Sequence, residues 1–135
     1  APELKGSYPL ENLLPLKEAN QLELIEGQAE IVPGLRGWPT PGHTKGHHSP
    51  VFKAGGETVV YLADVCPMQA HLPTMWCMAY DVDLLESRRR KPQVLGQLAD
   101  ENWLVVFCHD PQIVAGRLSR HEKREFVVSD PIEKL

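Results

Sequence analysis

The chain lacks the features that would place it in several common classes. No apolar run approaches the ~20 residues of a membrane-spanning helix, and the N-terminus has no basic-then-apolar secretory pattern. The expectation is a protein without a membrane segment. Cysteine is scarce: Cys66, Cys77 and Cys108 are three in number, an odd count without paired spacing, which argues against a disulfide framework. It suits a reducing compartment, so a cytoplasmic location is expected. Basic charge is not in excess, since 14 Lys and Arg stand against 18 Asp and Glu for a net charge of −4. That balance offers no field for nucleic acid and no polybasic membrane patch, which leaves small molecules as the expected partners. Repeats and low-complexity segments are absent. So is an initiating methionine, and the opening Ala1-Pro2-Glu3-Leu4 reads as a start in mid-protein, an appearance that trimming or proteolysis would equally give.

Present instead is enough apolar material, 42% of 135 residues, for one core and therefore one domain or half of one. Residues 1–20 set Pro2, Pro9 and Pro15 among Leu10, Leu13, Leu14 and Leu16, which predicts a leading loop or linker with room for one short helix. Residues 21–128 should form the sheet and helices. Short apolar pieces separated by Gly and Pro predict strands at Leu22 to Ile25, Ala29 to Val32, Leu35 to Pro39, Val51 to Ala54 and Thr58 to Leu62. Gly55-Gly56 predicts a tight hairpin between the last two. A helix is expected from Asp83 to Asp100, broken or kinked at Pro92, with Ser87 to Lys91 facing water. Trp103 to Cys108 reads as a strand, Asp110-Pro111 as the N-cap and first turn of a further helix, and Glu125 to Val128 as a closing strand before a polar tail over 129–135.

Candidate chemistry gathers at three places. Thr40-Pro41-Gly42-His43-Thr44-Lys45-Gly46-His47 is a turn stiffened by Pro and Gly that presents His43 from a loop rather than a helix. His47 in the same turn is expected to be a buried donor that pins the loop. Asp64 ends the apolar run Val59 to Ala63, where a carboxylate must be paired, metal-bound or exposed; a turn or cap role is the alternative. His109 falls at the C-terminal end of a strand, the edge where ligands and catalytic groups collect in open α/β layers. Cys66 lies two residues past Asp64 and so on the same side of an extended backbone, a further thiolate candidate. Cys108 is expected to face away from His109 and pack as a small apolar group. His121, among charged neighbours, is expected at the surface.

These residues, with Tyr61-Leu62-Ala63-Asp64 and Phe107-Cys108-His109-Asp110-Pro111, resemble in order and spacing the second half of a metallo-β-lactamase-fold hydrolase. The resemblance covers roughly Leu22 to Leu118. Ala70-His71-Leu72-Pro73 and Met78-Ala79-Tyr80-Asp81 are similar to the lactonase and organophosphate-hydrolase-like branch. It implies an α/β fold of α+β layers, half of an αββα sandwich with a mixed sheet and flanking helices. It implies zinc, as one or two ions, with other divalent transition metals as alternatives. The implied ligands are His43, Asp64 and His109, with Asp64 bridging. The implied activity is hydrolysis of an ester, lactone or similar bond by a metal-activated water. Asp64, His71 and Tyr80 are the expected catalytic residues. Met68, Trp76 and Met78 are either pocket lining or core.

One departure is large. The superfamily's His-x-His-x-Asp-His loop is absent, and no His-x-His occurs anywhere in the chain. The expectation is a C-terminal half-domain with a partial metal site, completed by an N-terminal half as a second segment or chain. The alternatives are a non-catalytic half-domain that assembles with a partner carrying that loop, a homo-oligomer, and a small β-rich binding domain without metal.

Overall fold

The computed structural model describes residues 9–133. Helix α1 (Leu10–Glu18) is followed by strands β1 (Ala29–Val32), β2 (Leu35–Pro39), β3 (His48–Ala54) and β4 (Glu57–Tyr61). Helix α2 (Leu84–Asp100) and strands β5 (Leu104–Val106), β6 (Ile113–His121) and β7 (Glu125–Glu133) complete the order. The seven strands form one sheet in sequence order. All neighbours are antiparallel except β4 and β5. That parallel pair needs a long crossover, and α2 supplies it. The fold is therefore α+β with a mixed sheet. No helix among the described residues is long and apolar enough to cross a membrane.

The β3–β4 hairpin turns on Gly55 and Gly56, with φ of +59° and +83°, and Ala54 pairs with Glu57 across it. A two-residue turn of this hand needs positive φ at both positions, which glycine adopts without a Cβ clash.

Strand direction places the candidate residues. Because β2 and β4 both run antiparallel to β3 while β5 runs parallel to β4, the C-terminal ends of β2, β4 and β5 emerge at one edge. His43, Asp64 and His109 each follow one of those ends.

The two sheet faces differ. Val51, Val60 and Val105 are register neighbours and fully buried, and they join Val94, Leu95 and Leu98 of α2 in the core. Trp38 and Trp103 meet edge to face in the same core, 5.9 Å between centroids. On the opposite face Leu35, Phe52, Val59 and Leu104 are register neighbours. Phe52 there is 44% exposed and Tyr61 37%, while Leu35, Val59 and Leu104 are half-buried.

Several sequence-based expectations need correction. The one short helix that the leading segment left room for does form, as α1 around Pro15; the expectations for residues 1–8 and 134–135 lie outside the described residues. Leu22 to Ile25 makes no strand. Pro92 does not break α2. That helix is held at its start by the Asp83 carboxylate, which accepts from the Glu86 amide, and along its length by the buried Val94, Leu95 and Leu98. Of Ser87 to Lys91 only Arg89 is exposed, with Arg88 and Arg90 half-buried; Ser87 and Lys91 are buried, because positions 87, 91, 94, 95 and 98 share one helical face. β5 is shorter than expected. The Asp110-Pro111 pair opens no helix and leads into β6, and β7 extends through what was expected to be tail, as far as Glu133.

Candidate metal centre

The loop after β2 is tied down from inside. Thr40 is fully buried, and its amide donates to the His47 carbonyl at 2.9 Å. The His47 Nδ1 lies 2.7 Å from the Thr40 hydroxyl and 3.0 Å from the Thr40 carbonyl. Its Nε2 accepts from the Asp64 amide at 3.1 Å, which assigns the proton to Nδ1. Burial, with His43 next, pushes the His47 pKa down and favours this neutral form. One imidazole thus joins the loop after β2 to the loop after β4.

Gly42 takes a φ of +136°. A Cβ there would lie 2.6 Å from the Ser87 amide nitrogen, so the start of α2 rests against bare backbone. The amides of Val82 and Asp83 donate to the His43 and Gly42 carbonyls, each at 3.0 Å. Arg90 adds a 2.8 Å bond to the Pro39 carbonyl.

His43 is held at both ends. Its Nδ1 lies 2.9 Å from the Asp81 carboxylate, which is almost wholly buried, and its ring meets Tyr80 edge to face at 5.8 Å. A carboxylate on one ring nitrogen fixes the direction of the other, here toward Asp64. The His43 Nε2 stands 3.6 Å from one Asp64 oxygen, and the His109 Nε2 stands 3.5 Å from the other. Asp64 sits in a 3-10 turn, Ala63–Val65, directly past β4.

The last loop is organised by a buried carboxylate. Asp110 Oδ1 accepts from the Gln112 and Ile113 amides, and Oδ2 accepts from the Gln69 amide at 2.8 Å. The His109 amide donates to the Pro67 carbonyl at 3.0 Å. Cys108 breaks the expected alternation, because β5 ends at Val106 and residues 108 and 109 bend. Its sulfur faces Asp64 and His109 rather than away, and one donor atom from each of Asp64, Cys108 and His109 lies within 4.8 Å of the others. Cys108 is half-buried and donates to the Ala63 carbonyl at 3.3 Å; burial and the Asp64 charge push its thiol up.

The donor set fits a divalent transition metal. Bonds of about 2.0–2.1 Å in tetrahedral geometry put two ligand atoms roughly 3.3–3.4 Å apart, close to the two Asp64–imidazole separations. Cys66 does not belong to the set: it is fully buried, its thiol is pushed up to about 12 by desolvation, and its sulfur points to the Met68 carbonyl.

His71 stands apart from this centre. Burial, then Lys91, push its pKa down, its Nδ1 is buried without a hydrogen-bond partner, and no bond among the described residues links it to His43, Asp64 or His109. Tyr80 is exposed over His43. Trp76 is 63% exposed and so is not core, while Met68 and Met78 are half-buried. His121 is exposed, where its ring accepts from the Lys123 and Arg124 amides.

Sequence reasoning missed Asp81, Lys91 and Asp110 as organising residues, and misread Cys108. Lys91 is buried and donates to the Pro73 and Trp76 carbonyls at 2.8 and 2.7 Å, anchoring the loop that carries His71 to Tyr80. The helical spacing of Lys91 with Val94, Leu95 and Leu98 is the signal that could have revealed it.

No protein-family profile matches the chain, and no curated protein matches it significantly. Solved structures do. A probable metal-dependent hydrolase from Staphylococcus aureus is 26% identical over 84% of this chain and 42% of its own, with a TM-score of 0.72. The hydrolase AbOPH of the β-lactamase superfamily is 17% identical over 100% of this chain and 51% of its own, with a TM-score of 0.78. AidC, a dizinc quorum-quenching lactonase, is 20% identical over 98% of this chain and 47% of its own, with a TM-score of 0.71. The chain has the fold of metallo-β-lactamase-superfamily hydrolases. It spans about half or less of the length of these three matched proteins.

Proposed function

We propose that this chain supplies part of the metal site of a metallo-β-lactamase-fold hydrolase, with His43, Asp64 and His109 as ligands, zinc as the metal and an ester, lactone or similar bond as the substrate. The observation that carries it is the Asp64 carboxylate, whose two oxygens face two imidazole Nε2 atoms at 3.6 and 3.5 Å. A bridging ligand between two metal positions has that disposition. When bound, a divalent metal supplies an acidified water and a polarised carbonyl or phosphoryl oxygen.

The chain's own residues do the rest. Asp81 fixes the tautomer and direction of His43. Tyr80, exposed above His43, offers a ring and a hydroxyl to an incoming substrate at the mouth. His71, kept neutral by burial and Lys91, supplies an imidazole able to take a proton on the adjoining loop. Three free cysteines suit a reducing compartment, and the cytoplasm is the location proposed.

Three ligands cannot complete two metal positions, since a catalytic zinc keeps three protein ligands and an open site. The partly exposed apolar face of Phe52, Val59 and Leu104 supports a second segment or chain packing there and completing the site. The same face supports the second reading, a non-catalytic half-domain that assembles with a partner carrying the His-x-His-x-Asp-His loop. Metal content by elemental analysis, with native mass, separates them. Near-stoichiometric zinc with lactone or ester hydrolysis in the assembled species, both lost in His109→Ala, supports the enzyme; assembly with no turnover supports the half-domain. Metal retention unchanged in His109→Ala would sink the ligand assignment, and a self-associated mass would make the cover a second copy.

A further inference from the structure

We infer that Cys108 is a third ligand, making Asp64, Cys108 and His109 a compact site for a thiophilic divalent metal within this chain alone. The inference rests on the metal-binding reading of Asp64 and His109 and adds a sulfur donor to it.

Geometry is the first argument. Among the described residues, Asp64, Cys108 and His109 are the group whose oxygen, sulfur and nitrogen donors all lie within 4.8 Å of one another. His43 lies outside that group, with its Nε2 3.6 Å from the Asp64 oxygen that His109 does not face. Ligands about 2.0–2.3 Å from one ion stand roughly 3.3–3.6 Å apart, so donors within 4.8 Å of one another are already near ligand spacing.

The backbone is already fixed for the purpose. Cys108 and His109 are consecutive residues in a bend that Asp110 clamps through three backbone amides, while the Pro67 carbonyl holds the His109 amide. Asp64 is held from the other side by the His47 bond to its amide. Two loops thus present three donors without outside help.

Ligand count is the second argument. With Cys108 included, one position has three protein ligands from this chain and a free fourth position, the arrangement of a catalytic zinc site. A thiolate also changes which ion is chosen, favouring zinc, cobalt or cadmium over magnesium, calcium or manganese, which prefer oxygen. On binding, the metal–sulfur bond forms as the S–H bond breaks, and the proton that faced the Ala63 carbonyl leaves to solvent.

Cobalt(II) is the probe. The 135-residue chain is titrated with cobalt(II) and compared with Cys108→Ser, in which a hydroxyl of similar size can keep the bond to Ala63, and with Cys108→Ala; circular dichroism confirms that each is folded. The expected result is a near-ultraviolet thiolate-to-cobalt charge-transfer band in the parent chain that both variants lose, together with weaker retention of the metal. Cys66 and Cys77 remain in the variants, so a band that persists would assign sulfur ligation elsewhere and overturn the inference. Visible cobalt absorption without any charge-transfer band would also overturn it, while leaving ligation by Asp64 and His109 intact. No cobalt bound at all would overturn both.

Discussion

At the sheet edge that carries Asp64, buried and half-buried side chains bond to backbone in the loops after β2, β4 and β5, whereas α1 buries none of its residues. His47 joins two loops, Asp110 satisfies three amides, and Lys91 satisfies two carbonyls. In α1, Leu10, Leu13, Leu14 and Leu16 stand 40–67% exposed. Irregular backbone needs partners for its polar groups wherever water is excluded, so loops that carry a site near the core acquire dedicated side chains. A helix satisfies its own backbone and can remain apolar and uncovered until another surface reaches it.

The contrast can be broken at the loop edge first. Gly42→Ala should cost about 3 kcal/mol in urea unfolding, because the added Cβ meets α2 backbone that cannot swing aside. A cost near zero would mean that the loop is not seated on α2. Next, Lys91→Met removes the donor from two carbonyls and should cost about 2 kcal/mol, with faster proteolysis in the loop over 73–80; an unchanged cleavage rate would detach Lys91 from that role.

Asp81→Asn probes orientation at the centre itself. Metal affinity should fall about 10-fold, near 1.4 kcal/mol, with stability little changed. Equal affinity in variant and parent would leave Asp81 as packing.

Acid sensitivity should come in part from His71. Its folded-state pKa is lowered from 6.5, by burial first and Lys91 second, with Asp81 opposing. Below 6.5 the unfolded chain therefore binds more protons than the folded one, so the stabilisation is complete above that pH and is lost as pH falls through the folded-state value. His71→Asn should flatten the stability profile on the acid side; an unchanged slope would assign the titration elsewhere. The smallest effect is expected in α1, where Leu14→Ser should change the stability of this chain by under ~0.5 kcal/mol. A larger loss would show that α1 is already packed.

Much of the sheet was legible because strands advertise themselves. The Gly55-Gly56 turn and the apolar runs around Val51, Val60 and Val105 carry period-two and turn signals that depend on near neighbours alone. The resemblance of the segments around His43, Asp64 and His109 led to the fold that the solved structures share. Illegible were features whose partners lie far along the chain. Lys91 reads as part of a charged run until the carbonyls of residues 73 and 76 are seen around it. Asp110 reads as a helix cap because the Asp-Pro pair serves equally well to start a helix or to shape a turn into β6. Cys108 followed the alternation rule on paper, and the rule lapsed because the strand stopped two residues earlier.

By itself the sequence determined the strand segments, the tight hairpin and the presence of histidine and aspartate at strand ends, since those depend on local backbone preference and side-chain chemistry. Tertiary structure alone decided that the ends of β2, β4 and β5 share one edge, that Asp81 backs His43, and that the Cys108 sulfur turns toward Asp64. Those relations join residues up to dozens of positions apart, and only strand direction and the packing of α2 bring them within a few ångströms.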